Sequence, residues 1–196
     1  MRRRILASAA FVVLAALAGQ ALTLLRLSEA DIVRQSDRIV LGTVIGTRAE
    51  WADPDGDGHQ NIYTITTFRI EQTLKGQDQP GTQLTLRMFG GTIGDHTQGV
   101  GGLTPFSTDE RLILCLEANP QNALGSPIVG VTQGRWIVRT DGNGGEFARR
   151  EFADASFMVR DTGGTLTPAD PPSGKEEPLS DVLARLQTLV QAEERK

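Results

Sequence analysis

The chain has 196 residues, of which 39% are hydrophobic and 22% are charged, and its formal net charge is −4. This length and composition are typical of one globular domain. The acidity argues against nucleic acid as a partner. Cys115 is the only cysteine, which excludes an intrachain disulfide, and its apolar surroundings favour a buried, inert thiol over a reactive nucleophile.

Residues 1–21 have the pattern of a secretory signal peptide. Arg2–Arg4 precede an apolar run from Ile5 to Ala18, and small residues near Ala21 offer a cleavage site. A retained membrane anchor is the alternative, but the run is shorter than the roughly 20 residues that span a bilayer. We therefore predict an exported protein, periplasmic or secreted, without a stable membrane span after cleavage. Loss of the three arginines lowers the net charge from −4 to −7.

The segment 22–160 is predicted to be one β-rich domain. It begins with a short helix that Ser28 can cap. The β-branched strand Arg38–Ile45 follows, and Gly42 within it predicts a bulge or bend. The return arm, Ile62–Leu74, alternates apolar and polar residues in its second half, so the two segments form a long hairpin.

Further strands are predicted beyond this hairpin. Thr82–Phe89 alternates in the same way and completes a three-stranded meander. Residues 90–108 are rich in glycine and read as a long loop. Arg111–Glu117 is a compact apolar strand, and a strand pair follows at Ile128–Val131 and Arg135–Arg139.

The C-terminal third is less regular. Asp141–Gly145 predicts a turn. Residues 146–160 fit helical and extended patterns each only in part, so one or two further strands there are left open. Residues 161–178 read as an exposed linker, and residues 179–196 as an amphipathic helix capped by Ser180. One face of that helix carries an apolar stripe that we expect to dock on the barrel: Val182, Leu183, Leu186, Leu189 and Val190.

Together these elements predict a mainly β fold. We expect a small five- to six-stranded barrel of the oligonucleotide/oligosaccharide-binding (OB) type, with a short N-terminal helix and a C-terminal helix. An immunoglobulin-like sandwich is the alternative. Gly42 and Gly46 favour the barrel because they permit strong coiling of the first long strand.

The strand Ser36–Val44 after the helix, and the arm ending Ile70–Gly76 in a Lys-Gly turn, resemble the OB-type barrel of the tissue inhibitors of metalloproteinases and netrin modules. With the strand Leu112–Leu116, the chain is also similar to uncharacterised exported bacterial proteins. The resemblance implies the fold and an inhibitor-like or other binding function. The inhibitors act through an N-terminal cysteine, whereas this chain is expected to begin at Leu22 after cleavage, so no functional residue is carried over.

The hairpin tip resembles the start of a calcium-binding loop. Asp53, Asp55 and Asp57 occupy its first, third and fifth positions, and Gly58 its sixth. Such spacing lets alternate oxygens converge on one hard cation, with Asn61 as a further ligand. Position twelve is a threonine, where the motif has a bidentate glutamate. The alternative is a solvated tip whose residues simply favour turns.

Four other residues are candidate partner contacts. They are Trp51 beside the tip, His59 within it, and His96 and Phe106 in the glycine-rich segment. A metal held by His59, Asp95 and His96 would instead suit a small hydrolase. The weaker acidic pattern around Asp141, Asn143 and Glu146 reads as a turn, and no catalytic motif is present.

Three functions therefore stay open. The first is an exported, non-enzymatic binding or inhibitor-like module for a protein or ligand outside the cytoplasm. The second is a structural envelope module, stabilised by calcium if the tip binds it. The third is a small metal-dependent hydrolase. Fold alone does not choose among them.

Overall fold

The structure, a computed structural model, describes residues 22–54, 56–118, 125–152 and 155–195. The predicted signal peptide and Asp55 lie outside the described residues. Within them the protein is mainly β with two helices. In chain order the elements are β1 (Thr23–Leu25), α1 (Glu29–Gln35), β2 (Arg38–Ala52), β3 (Asn61–Lys75), β4 (Gln83–Phe89), β5 (Gly91–Ile93), β6 (His96–Gln98), β7 (Arg111–Leu116), β8 (Arg135–Thr140), β9 (Glu146–Arg149), β10 (Ser156–Arg160), β11 (Leu166–Ala169), β12 (Glu177–Pro178) and α2 (Leu179–Glu194).

Seven strands form the main sheet, in the order β12-β9-β8-β7-β2-β3-β4. The predicted β2-β3-β4 meander is confirmed, with antiparallel pairing throughout. The sheet is open, with β12 at one edge and β4 at the other, and the described residues contain more than six strands. The prediction of a small, partly open barrel of five to six strands is therefore wrong, because the sheet does not curl into a barrel and has more strands, whereas the mainly β class and the two helices are confirmed.

The open sheet buries its apolar side chains because both of its faces are covered. On one face, residues such as Ile39 and Ile113 pack against α1 and α2. On the other face, residues such as Phe68 and Leu112 pack against Phe106 from the segment between β6 and β7. A sheet that is covered on both faces can form a core on each face without closing into a barrel.

The buried thiol of Cys115 belongs to the helix-covered face. Its side chain is fully buried, and burial raises the pKa of Cys115 to about 12. The prediction of a buried thiol is confirmed, and at neutral pH the thiol is protonated and a poor nucleophile.

Strand β2 bends at Gly42, as predicted. Its register with β3 shifts between Leu41 and Gly42. A Cβ atom on Gly42 would lie 2.2 Å from the backbone oxygen of Arg69, so only glycine permits this close approach. Strand β7 pairs with β2 only from Arg38 to Thr43, whereas β2 continues to Ala52 paired with β3. We call the outer part of this hairpin, residues 45–52 and 61–67, the outer arm.

The two helices differ in how they begin. Helix α1 has the predicted cap: the hydroxyl of Ser28 accepts a hydrogen bond from the backbone of Asp31, whose carboxylate accepts one in return. Helix α2 starts after Pro178 without a side-chain cap, so the prediction of Ser180 as its cap is wrong. The docking of its apolar stripe is confirmed by the buried residues Val182, Leu186 and Val190. Among the described residues, neither helix combines the length and apolar character needed to cross a membrane.

Strands occur in three further segments, of which two were predicted to contain none. Residues 90–108, expected to be a loop, include the hairpin β5–β6. Residues 146–160, left open, contain β9 and β10. Residues 161–178, expected to be a linker, include β11 and β12. Strands β1, β10 and β11 form a separate three-stranded sheet, and β12 extends the main sheet at its edge.

The predicted strand Ile128–Val131 is a turn with a single β-bridge at its first residue. Val131 has a positive φ of 68°, which is rare for a β-branched residue and ends any extended segment there. Beyond the turn, Gln133 accepts a hydrogen bond from the N–H of Leu27 and donates one to the carbonyl of Leu25, both at 2.9 Å. The amide of Gln133 thereby links the turn to the N-terminal segment around β1.

Candidate functional site

A second hairpin, β5–β6, lies against the outer arm, although the two are separated in sequence. The β5–β6 hairpin approaches the arm beside Ala49 and Thr64. Gly91 has a φ of +146°, and a Cβ atom there would lie 2.8 Å from Oγ1 of Thr64 and 3.3 Å from the Cβ of Ala49. The absence of a side chain at Gly91 therefore allows the backbone of the hairpin to lie against the arm.

The side chain of Gln98 fixes the hairpin to the start of β3. Its Oε1 accepts a hydrogen bond from the N–H of Ile62 at 2.6 Å, and its Nε2 donates to Oδ1 of Asn61 at 3.5 Å. The N–H of Gly90 donates to the carbonyl of Ile62 at 2.8 Å, and Oγ1 of Thr64 donates to the carbonyl of Gly90 at 2.7 Å. These bonds satisfy backbone groups of both segments and fix their relative position.

The same arrangement brings together two of the predicted contact residues, Trp51 and His96. Their ring centroids are 5.8 Å apart and their planes meet at 70°, an edge-to-face contact. Trp51 remains 41% exposed, and His96 is exposed as well. An exposed indole that is held by a second ring offers a large apolar surface with little rotamer freedom left to lose on binding.

The acidic tip folds around Asp53. Its carboxylate accepts hydrogen bonds from the backbone N–H groups of Gly56, Asp57 and Gly58 at 2.9, 3.2 and 3.0 Å. The carboxylate of Asp57 accepts one from the N–H of His59 at 2.7 Å. Bonds of this kind are how aspartate stabilises turns, and they give the tip a defined shape.

Calcium binding by the tip stays a prediction. Asp55, the third predicted ligand, lies outside the described residues, and Asn61 is half-buried beside Gln98. Among the residues that the structure describes, no group of three or more His, Cys, Asp or Glu side chains is placed to hold a metal ion. Calorimetric titration with calcium tests the motif: the sequence predicts heat of binding for the wild type and none for Asp57→Asn.

The other predicted site residues have different surroundings. His59 is exposed on the tip, whereas Phe106 is only 5% exposed and belongs to the core. A cavity of about 40 Å³ lies beside Phe106, far below the few hundred Å³ of a small-molecule site. Within the described part of the chain, His59, Asp95 and His96 do not form a metal-holding group of three. The structure therefore gathers Trp51 and His96 at the surface and places Phe106 beneath it.

Sequence reasoning missed the residues that assemble this surface. Gly91 and Gln98 lie in residues 90–108, whose glycine content predicts a loop. One local signal could have revealed the hairpin: Gly94-Asp95, a two-residue turn, separates Ile93 from its partner His96. The long-range role of Gln98 has no comparable signal, because it depends on a contact with β3, 36 residues earlier.

Comparison of the chain with known protein families, curated proteins and solved structures gave no match. The resemblance to the metalloproteinase inhibitors and netrin modules therefore stays a prediction.

Proposed function

We propose that the protein is an exported, non-enzymatic binding module that contacts a protein partner outside the cytoplasm. The contact surface, which we call the tip surface, consists of Trp51, Asp57, His59, Asp95 and His96. The signal-like N terminus supports export, and the geometry of the outer arm supports binding.

The observation that carries this proposal is the contact between Trp51 and His96. Two strands of the β2–β3 hairpin and a separate hairpin, β5–β6, converge to hold an indole that remains 41% exposed. Large aromatic residues dominate the energetics of protein interfaces when a partner covers them. Trp51 is accordingly the anchor of the proposed interface.

The charges around the anchor indicate the chemistry of the partner. Asp57 on the tip and Asp95, next to His96 in the β5–β6 turn, are both exposed. Complementary charges accelerate association and fix orientation more than they add affinity. We therefore propose a partner that places an apolar group on Trp51 and lysine or arginine side chains near the two aspartates.

Affinity capture with quantitative mass spectrometry tests this function. The immobilised full chain is exposed to an extracytoplasmic extract of its native host, in parallel with the double variant Trp51→Ala/His96→Ala. We expect the specific partner to fall by about tenfold or more with the double variant, because removal of a central aromatic anchor costs that much or more.

The matched control is Leu166→Ala on β11. Leu166 is 46% exposed, close to the exposure of Trp51, but it lies in the other, three-stranded sheet. This variant should capture the partner as the wild type does. Equal capture by the wild type and the double variant would refute the tip surface as the binding site. Fractionation of the host, with sequencing of the mature N terminus, tests export, and the predicted first residue is Leu22.

A further inference from the structure

A second site is indicated by Arg150, which directly follows β9, the strand next to the edge strand β12. Its residue exposure is 8%, which is unusual for an arginine. The guanidinium carbon lies 5.2 Å from the ring centroid of Trp136 and 5.5 Å from that of Phe152. The aromatic rings therefore hold the guanidinium in place without offering it a hydrogen-bond acceptor.

Among the described residues, Arg150 makes no side-chain hydrogen bond, and its buried Nη1 has no partner. Its nearest carboxylate is that of Glu29, with Nη2 and Oε1 3.9 Å apart. That distance is too long for a hydrogen bond. Buried polar groups in native proteins are almost always hydrogen-bonded, so an unsatisfied guanidinium requires an explanation.

Glu29 does not supply the missing hydrogen-bond acceptor, because its carboxylate is already bound by Arg185. Nε and Nη2 of Arg185 donate to the two oxygens of Glu29 at 2.7 and 3.3 Å. Arg185 also pairs with Glu177 at 3.0 Å through two further bonds. The carboxylate of Glu29 is thus hydrogen-bonded to Arg185 and meets the charge of Arg150 only at the longer distance of 3.9 Å.

The electrostatic surroundings are mixed. Burial holds the pKa of Arg150 below its ordinary value, the negative charge of Glu29 opposes this shift, and the positive charges of Arg185 and Arg26 add to it. An arginine stays protonated under all ordinary conditions. A carboxylate placed at this site would offset the repulsion and could accept hydrogen bonds from Nε and Nη2 of Arg150, which are not fully buried.

Arg150 lines a pocket that can admit such a group. The pocket is an open surface depression of about 490 Å³, and its walls include Arg26 and the apolar side chains of Leu27, Val159 and Pro172. This volume is within the range of small-molecule sites.

Two acidic residues also line the pocket, and each has its own partner. Glu29 is bound by Arg185, and Asp31 is bound by Ser28 and by Arg34, the latter at 2.5 Å. Ser28 and Ser173 complete the lining, and its cationic and apolar side chains suit a carboxylate with a hydrocarbon tail.

We propose that this pocket, the Arg150 pocket, binds a small organic carboxylate whose apolar tail lies against Leu27, Val159 and Pro172. Guanidinium groups bind carboxylates through paired hydrogen bonds, and a desolvated guanidinium does so more strongly than an exposed one. The apolar walls favour a carboxylate with a hydrocarbon tail over inorganic phosphate, because phosphate has no apolar group to cover those walls and would leave them in contact with water. The site is independent of the tip surface.

Tryptophan fluorescence offers a direct test, because the chain has two tryptophans and one of them, Trp136, lies beneath Arg150. The full chain carrying Trp51→Phe retains Trp136 as its only tryptophan. It is titrated at constant ionic strength with hexanoate, acetate and inorganic phosphate. We expect a saturable change with hexanoate, and about tenfold weaker binding of acetate, because acetate lacks most of the tail.

Two variants locate the response. Arg150→Met preserves the apolar contact with Trp136 and should weaken hexanoate binding by about tenfold or more. Arg26→Gln changes an exposed residue at the rim, so it leaves folding intact, and should weaken binding by a smaller factor. The matched control, Arg48→Gln on the outer arm, removes an exposed arginine far from the pocket lining and should bind as the parent does.

Three results would overturn the proposal. The first is no saturable response to hexanoate at concentrations up to about 10 mM. The second is an undiminished response in Arg150→Met or, if that variant does not fold, in Arg26→Gln. The third is tighter binding of phosphate than of hexanoate, which would show an inorganic oxyanion site in place of the carboxylate site.

Discussion

Arg135 and Arg150 are buried to nearly the same extent, at 5% and 8% exposure, yet their guanidinium groups have opposite surroundings. Arg135 donates to the carboxylate of Glu110 at 2.6 Å and to the carbonyl of Thr104 at 2.7 Å. Arg150 makes no side-chain hydrogen bond among the described residues. Burial alone therefore does not tell whether an arginine holds the fold together.

The partners of Arg135 explain its structural role. Glu110 also accepts a hydrogen bond from the backbone N–H of Ser107 at 3.1 Å, so the pair connects β8 to the segment that precedes β7. The same segment contributes Phe106 to the core, beneath the guanidinium of Arg135. Arg135 thus holds a covering segment through close charged and backbone partners, although its Nε has no partner, whereas Arg150 has only the Glu29 carboxylate at 3.9 Å.

The largest effect that separates the two arginines is expected for Arg135→Met. We predict a loss of about 3–5 kcal/mol in the free energy of unfolding, because the substitution leaves Glu110 largely buried without its charge partner. Urea denaturation measures it. Arg139→Met on the same strand is the control and should change stability by about 0.5 kcal/mol or less, since its side chain is 58% exposed. If Arg135→Met lost no more stability than the control, the structural role assigned to Arg135 would be refuted.

Glu110→Gln is expected to have a smaller effect. The amide oxygen still accepts a hydrogen bond but carries no charge, so we predict a loss of about 1–3 kcal/mol. In the double variant with Arg135→Met, the losses should sum to less than those of the single variants, because both changes remove one interaction. Additive losses in a double-mutant cycle would show that the two residues act separately.

Arg150→Met should change stability by about 1 kcal/mol or less in the absence of a ligand, in either direction. The substitution removes no hydrogen bond between described residues and retains an apolar contact with Trp136. The same urea denaturation series provides the measurement. If the loss equalled that of Arg135→Met, the contrast between the two arginines would fail.

The smallest effect concerns Asp31, which lines the Arg150 pocket. The hydrogen bond from Ser28, with the nearby charge of Arg34, lowers the pKa of Asp31 from its ordinary value of 3.8. A carboxylate with a lowered pKa in the folded state contributes stability above the unfolded pKa and loses it as pH falls. Asp31→Asn should therefore be slightly less stable than the wild type at pH 7, and the difference should vanish at pH values below the folded-state pKa.

NMR titration of Asp31 tests which residues interact with its carboxylate. Because Asp31 is bound by Ser28 and Arg34, its midpoint should lie below 3.8 in the wild type and stay there in Arg150→Met. A midpoint that rises in Arg150→Met would identify Arg150 as a charge partner of Asp31.

Much of the fold could be predicted because it depends on neighbouring residues. The capping box of Ser28 and Asp31, the bend at Gly42 and the apolar stripe of α2 are patterns within a few residues, and all three are found in the structure. For the candidate site, the sequence selected Trp51 and His96 one by one. Their contact was not predicted, because it depends on the β5–β6 hairpin, and the glycine content of that segment predicts a loop instead.

The sequence by itself determined the mainly β class, the long β2–β3 hairpin and the acidic, turn-forming composition of its tip. Only the tertiary structure decided that the sheet stays open, because closure depends on how helices and loops cover its two faces. It also decided the contrast between the two buried arginines. Arg135 meets its carboxylate across 25 residues of sequence, and Glu29 meets Arg185 across 156. Local patterns carry no information about pairings over such separations, because the fold alone brings those charges together.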